Sequence, residues 1–409
     1  MLNYIWAFFF IAGFGGALWQ NFSGNPEIWA ALSEDIFASA KSAFSISINL
    51  TGILCFWLGM LKIAEKSGIT EILSNALKPL FRKIMPDVSE NSPAFGSIIM
   101  NIAANILGLD NAATPMGIKA MEQLQKENHT PDQASNAQIL FMVINSSSVT
   151  LLPITILMYR SELGSTNPAQ VFFPILCATA VSTLVGFISV AMMQKLNILN
   201  RVIMLYAAIL VAIISLITAS FCFGSAHLRE LLISCGGNFI LILTLLIFIT
   251  IGLFRKVNVY NEFINGAKEG FNVAISIIPY LVAMLTAIAF FRSSGVLDLC
   301  ITGIEKICNF FTINTDFVPA LPTAFLKPLS GSGARAMMIE TMQHYGVDSF
   351  PAFVSAVVQG STETTFYVLA VYFGAVKISN TRHALPCALL ADIAGIITAI
   401  SLSYVFYTP

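Results

Sequence analysis

Along the chain, apolar residues fall into long runs separated by short polar stretches. Nine runs approach the ~20 residues that a helix needs to cross a hydrocarbon core. They are 3–20, 43–62, 136–158, 170–194, 202–222, 231–254, 271–291, 350–376 and 384–406. The runs are continuous rather than alternating, so they predict helices and not the strands of a membrane barrel. Two further regions, 91–126 and 317–345, have short apolar arms around a polar, Gly/Pro/Ser-rich centre. Neither second arm is apolar enough to span. This predicts re-entrant helical hairpins with tips buried in protein or facing a cavity. Stretches 69–85 and 296–311 mix apolar and polar residues at helical spacing, as helices lying along the interface do.

The pattern repeats. Residues 40–69 align without gaps on 267–296 with eight identities in thirty positions, among them Lys41/Lys268, Ser67/Ser294 and Gly68/Gly295. The parts then follow in the same order: spanning helix, surface helix, hairpin, polar-centred helix, final helix. The expected divisions are an N-terminal helix and loop (1–39), a first repeat (40–200), two joining helices (201–261) and a second repeat (262–409). Each half crosses three times and the joining pair twice, so the second half starts on the opposite face. The fold class predicted is an all-α polytopic membrane protein of two inverted repeats, with about nine crossings plus two hairpins.

Charge tests this topology. With the N-terminus cytoplasmic, fourteen of the 21 Lys and Arg residues fall on inside segments and the first hairpin. Five fall outside, and Lys327 and Arg335 lie in the second hairpin. That bias places the chain in a bacterial cytoplasmic (inner) membrane with its C-terminus outside. The run from Tyr4 to Trp19 lacks a basic flank and a small-residue cleavage site, so it reads as a retained helix. Composition agrees: 56% of residues are hydrophobic and 11% charged, with a formal net charge of −1. These values exclude a water-soluble enzyme, a disordered chain and a nucleic-acid binder. The seven cysteines form no C-x-x-C pair and read as apolar packers, and the four histidines are scattered, so no metal centre is expected. No H-E-x-x-H, Ser-Lys or Asp-Asp pairing points to an enzyme, and no cofactor is expected beyond a possible bound Na⁺.

Candidate chemistry concentrates in four places. Tip 1 carries Asn101, Asn105, Asp110, Asn111 and Thr114, and tip 2 carries Ser330, Gly331, Ser332, Gly333 and Arg335. A tip joins the carbonyl end of one half-helix to the N–H end of the next, and so can hold a cation or an anion. The same residues also suit tight turns with local caps. The other two places are polar runs inside spanning segments: Asn145, Ser146, Ser147 and Ser148, then Gln359, Ser361, Thr362, Glu363, Thr364 and Thr365. Such runs compete for backbone hydrogen bonds and can unwind a helix, or they can serve helix packing through small hydroxyls. Glu363 is the sharpest residue, because a mid-membrane carboxylate costs roughly 2.5–3.5 kcal/mol and needs a partner, a proton, water or ligand. Arg335 is the topological partner, as a functional or a structural ion pair. Asp392 lies in the last run, where the first repeat has Ala180, and is read as a supporting or proton-carrying group. Lys327 and Glu340 flank tip 2 and are expected to snorkel toward the interface.

Three stretches carry a family resemblance: ANILGLDNAATPMGIKAMEQLQ, LKPLSGSGARAMMIETM and QGSTETTFYVLAVYFGAVKISNTRHALPCALLADIAG. The first resembles the spore maturation protein A signature, the others that of spore maturation protein B. The chain looks like a fusion of the two, in the nucleoside-recognition or gate domain family. Lys327 stands where Arg is expected in relatives. The family is similar in part to concentrative nucleoside transporters and to the gate region of the ferrous iron transporter B. The resemblance implies an elevator-type secondary transporter, Na⁺ or H⁺ coupled, holding a small polar solute between hairpin tips and unwound helices. Asn111, Thr114, Ser332, Asn145, Ser147, Thr362 and Glu363 would line that site. The expected partners are the solute, the lipid bilayer and further copies of the chain in a homo-oligomer. The alternative is a non-transporting assembly or sensor component of cell-envelope or spore maturation.

Overall fold

The computed structural model describes residues 2–89, 92–107, 110–147 and 149–408, without the side chains of residues 2, 3, 110–112, 226 and 234. The described residues form eighteen α-helices and no named strand. Seven helices are long and apolar enough to cross a membrane: Tyr4–Phe22, Ile28–Lys66, Pro168–Gln194, Arg201–Phe223, Gly237–Phe254, Val259–Ser293 and Ala384–Phe406. Their outward faces carry large apolar side chains, among them Phe223, Phe254, Leu216 and Phe239, which fits lipid rather than water as the surrounding medium.

α1 (Leu2–Phe22) leads into α2 (Ile28–Lys66). Residues 28–39, expected as loop, are therefore helical. At 1.5 Å per residue α2 extends about 58 Å, nearly twice a hydrocarbon core. α12 (Val259–Ser293) is almost as long, and the two pack along each other more extensively than any other helix pair. Close approach needs small residues: a Cβ on Gly270 would stand 2.7 Å from Cys55 Cα. Both helices end in a Ser-Gly pair. Gly68 (φ 73°) and Gly295 (φ 78°) adopt the left-handed conformation and turn the chain into α3 (Ile69–Ile84) and α13 (Val296–Phe310). The identity of these positions in the two halves thus has a backbone cause.

α4 (Ala94–Ile106) and α5 (Asp110–Lys126) pack against each other, and Glu127 at the end of α5 accepts from the Ser92 hydroxyl at the start of α4. The second short-armed region folds as a 3₁₀ turn (Val318–Ala320), α14 (Leu321–Leu326) and α15 (Gly331–Tyr345). The stretches at 136–158 and 350–376 are interrupted. The first is α6 (Asn136–Ser147) then α7 (Ile154–Glu162); the second is α16 (Phe350–Gly360) then α17 (Thr365–Ala375). α8 (Phe172–Gln194) and α18 (Ala384–Phe406) pack together behind them. Between the halves run α9 (Arg201–Phe223), α10 (Ala226–Leu231) and α11 (Gly237–Phe254), the last two joined by a π turn.

Two loop clasps tie the interrupted helices together. At one end the Ala134 N–H donates to the Asn380 carbonyl (2.9 Å), the Asn380 N–H donates to the Asp132 carbonyl (3.0 Å), and Arg382 donates to the Ala134 carbonyl (3.1 Å). At the other, Arg160 donates to Asp348 (2.9 Å) and to the Val347 carbonyl (3.1 Å). Ser165 and the Thr166 N–H and hydroxyl donate to the same carboxylate.

Candidate functional site

The two helix breaks meet. Where α6 stops, the Ser146 carbonyl accepts from the Glu363 N–H (2.8 Å), which lies in the break between α16 and α17. The Ser146 hydroxyl touches Thr365 Oγ1 across the same junction. Each break also receives the end of a short-armed helix. The Leu151 N–H donates to the Ile106 carbonyl at the end of α4 (3.0 Å), and the Phe366 N–H donates to the Pro328 carbonyl beyond α14 (3.1 Å). Backbone groups freed by unwinding are thus partnered by the other interrupted elements, as buried backbone requires.

Two cavities open on this junction. One, of about 100 Å³, is lined by Asn105, Thr150, Tyr159, Lys327, Arg335, Gln359, Thr362 and Glu363 together with apolar residues of α7. The other, of about 310 Å³, is lined by Asn105, Thr114, Asn145, Glu363, Tyr367 and Tyr372 among others. Asn105 and Glu363 belong to both, so they form the partition. The Glu363 side chain is exposed to these spaces, and its carboxylate has no hydrogen-bond or ion-pair partner among the described residues. Asn105 is fixed instead: its Nδ2 donates to Asn145 Oδ1 (2.7 Å). Asn145 Oδ1 also accepts from the Tyr372 hydroxyl (3.2 Å), which in turn accepts from Asn101 Nδ2 (3.1 Å). An Asn-Asn-Tyr network therefore stiffens one wall, while the carboxylate and Arg335 face open space on the other.

The sequence-predicted residues divide accordingly. Asn105, Thr114, Asn145, Arg335, Gln359, Thr362 and Glu363 line one or both cavities. Ser146 and Thr364 are buried at the junction. Ser147 and Ser361 donate back to the Val143 and Val358 carbonyls of their own helices (2.9 and 2.8 Å) and so serve the helix ends. Ser332 faces Ser330 (3.3 Å), which caps α15 by accepting from the Gly333 N–H, so local capping accounts for this tip. The side chains of Asp110 and Asn111, like all of Ser148, lie outside the described residues.

Three expectations are corrected. Among the described residues no ion pair joins Glu363 to Arg335; Arg335 instead stands beside Tyr159. Lys327 does not reach the interface but is buried and lines the smaller cavity. Glu340 is held by Arg292, whose Nε forms an ion pair with Oε1 and whose Nη2 donates to Oε2 (3.0 Å). Sequence reasoning missed Tyr159, Tyr367 and Tyr372. Tyrosines are ordinary in apolar runs, and the signal available was their helical spacing from Asn145 and Glu363 across two separate segments, which needs the tertiary fold to be read.

A family model described as "Gate: Nucleoside recognition" matches residues 47–166 and 274–379. Spore maturation protein A of Bacillus subtilis (strain 168) is 39% identical over 182 residues, covering 44% of this chain and 90% of that relative. Spore maturation protein B of the same organism is 45% identical over 149 residues, covering 36% of this chain and 82% of that relative. No solved structure matches. The two matched blocks of the family model hold both helix breaks and the residues lining both cavities.

Proposed function

Because the chain belongs to the Gate, nucleoside-recognition family, we propose that it is a secondary transporter of a small polar solute, working by elevator-type alternating access in a cytoplasmic membrane. The observation that carries this reading is the Glu363 carboxylate, without a partner among the described residues, set where two helix breaks cross and shared by two polar cavities. An intramembrane charge without a protein partner is expensive unless water, a cation or a solute meets it. The combined spaces suit a nucleoside-, amino-acid- or dipeptide-sized solute; Arg335 and Lys327 receive its anionic or carbonyl groups, and Glu363 its donors.

The architecture in this reading is a pair of inverted repeats with two re-entrant hairpins. Contacts support it. Ser89 and Ser92 before α4 meet Glu127 after α5, which supports a return of that arm pair to the side it left. Between the Arg160 loop and the Asp348 loop lie four crossings, α8, α9, α10–α11 and α12, which is an even number. These loops touch, which supports a return of the stretch 317–345 to its own side. Residues 91–194 and 317–406 form the moving core, and the other helices form a scaffold that assembles with further copies. No catalytic group or resident cofactor enters this reading; coupling to Na⁺ or H⁺ does.

The test is uptake of radiolabelled nucleosides, amino acids and dipeptides into proteoliposomes. Wild type should accumulate one class under an ion gradient, and Glu363→Gln should lose at least the gradient dependence. Unchanged coupled uptake by the variant removes Glu363 from the mechanism. The names of the two relatives favour a second reading, a non-transporting component of spore or envelope maturation. Its mark is absence of uptake of all three solute classes by protein that is folded and correctly inserted.

A further inference from the structure

The last helix carries an acid that neither cavity contains. Asp392 in α18 is 1% exposed and lines neither space. Its Oδ2 accepts from Thr365 Oγ1 (2.7 Å). A hydroxyl has one proton to donate. Because Thr365 gives its proton to Asp392, the contact between Ser146 and Thr365 runs from Ser146 to Thr365. The break junction therefore feeds a directed chain, Ser146 to Thr365 to Asp392.

The other carboxyl oxygen tells more. Asp392 Oδ1 and Thr362 Oγ1 are both buried without a hydrogen-bond partner among the described residues, and the Thr362 hydroxyl faces the carboxyl. A hydroxyl both donates and accepts, so Thr362 can turn its proton toward Oδ1 when the carboxyl is ionised and accept from Oδ1–H when it is protonated. A negative charge on Asp392, 1% exposed inside a spanning helix, is costly, and taking up one proton removes that cost while Thr362 stays beside the carboxyl as its link to the cavity. Thr362 in turn lines the smaller cavity. It is pinned there by α18 itself: a Cβ on Gly395 would stand 2.8 Å from Thr362 Cγ2. Of the charged groups, Lys327 acts on Asp392 and Glu363 sits in the break beside Thr362. Helices α6 and α16, packed on α18, bring no ionisable residue. α8 brings only Cys177 and α17 only Tyr367 and Tyr372, while α9 meets α18 through Phe221 on Phe406.

We infer that Asp392 is a proton-carrying site that exchanges with the central cavity through the Thr362 hydroxyl. A hydronium ion in the cavity gives a proton to Thr362 Oγ1, and the proton already on that hydroxyl passes to Asp392 Oδ1. Water is left in the cavity and the carboxylate becomes a carboxylic acid; unloading is the reverse. Ionised Asp392 holds the Thr365 hydroxyl by a charge-assisted bond, and protonated Asp392 holds it more weakly. Loading thus loosens the Ser146–Thr365 tie between the breaks. As a coupling device this rests on the transport reading, but the site can be tested without it.

The experiment is infrared difference spectroscopy of the full-length protein in lipid nanodiscs, on acidification and on exchange into D₂O. Wild type should show a protonated carboxyl C=O band that shifts in D₂O. Asp392→Asn should lose that band, Asp392→Glu should move it in frequency, and Thr362→Val should keep it but exchange several-fold more slowly. A band unchanged in both Asp392 variants, or exchange in Thr362→Val as fast as in wild type, overturns the assignment. An intact set of spectra with no uptake of any solute class would count against the transport reading alone.

Discussion

At the scale of single residues, the second tip is placed by an absent side chain. A Cβ on Gly331 would stand 2.6 Å from Thr364 Oγ1, and Thr364 is buried at the start of α17 without capping it. Gly331→Ala should therefore overpack the contact between α15 and the break and destabilise the protein by about 1–3 kcal/mol. Combining it with Thr364→Ala, which removes the opposing oxygen, should restore most of the loss. Thermal unfolding in detergent of the two single variants and the double variant reads this coupling; additive losses would show that the contact is not the cause. Residues of this kind were only half legible in the sequence. Glu363 announced itself by charge in an apolar run, whereas Ser147 and Ser361 share the polar runs with it yet bond back to their own helices. Sequence gives a side chain's chemistry but not its direction around an unwound turn, and direction separates cavity-lining residues from helix-end ones.

At the scale of elements, the clasp between the α7–α8 loop and the α15–α16 loop is electrostatic. Burial works against ionisation of Asp348, but hydrogen bonds from Ser165 and from the Thr166 N–H and hydroxyl, with the Arg160 charge, outweigh it and hold the carboxyl below its usual range. A carboxyl whose folded pKa is depressed contributes stability above its unfolded value of about 3.9, and this is lost as pH falls through the folded value. Wild type should therefore lose stability on acidification below about pH 4, and Asp348→Asn should lose less across that window while starting lower. Unfolding midpoints against pH measure both, and an identical acid slope in the variant would contradict the assignment. Arg160 is fully buried, so its uncompensated charge adds to the cost of the substitution. The elements themselves were largely legible: continuous apolar runs marked the long helices, and Ser/Thr/Asn runs marked the breaks at 149–153 and 361–364. The helical start of α2 at Ile28 was not, because residues 28–39 carry Glu34 and Asp35 and read as a loop. That stretch is helical because it continues the long α2 whose later turns pack on α12, so tertiary contact extends a helix beyond its apolar segment.

At the scale of the whole molecule, the proposed motion divides contacts into those inside the core and those that cross its boundary. The Gln133–Asn380 bridge lies inside the core and travels with it. Asn49 in α2 donates to Glu162 in α7 (2.8 Å), which ties scaffold to core and must break when the core moves. Each pair replaced by cysteines in a background lacking the seven native ones gives a covalent version of the same contact. An oxidised Gln133→Cys/Asn380→Cys pair should leave uptake near wild type. An oxidised Asn49→Cys/Glu162→Cys pair should abolish it, with recovery on reduction. A stationary site opened by small local gates predicts the reverse, since the boundary would never slide while the clasp would have to flex. Equal uptake through both cross-linked forms would therefore rule out rigid-body travel of 91–194 with 317–406, whatever the solute.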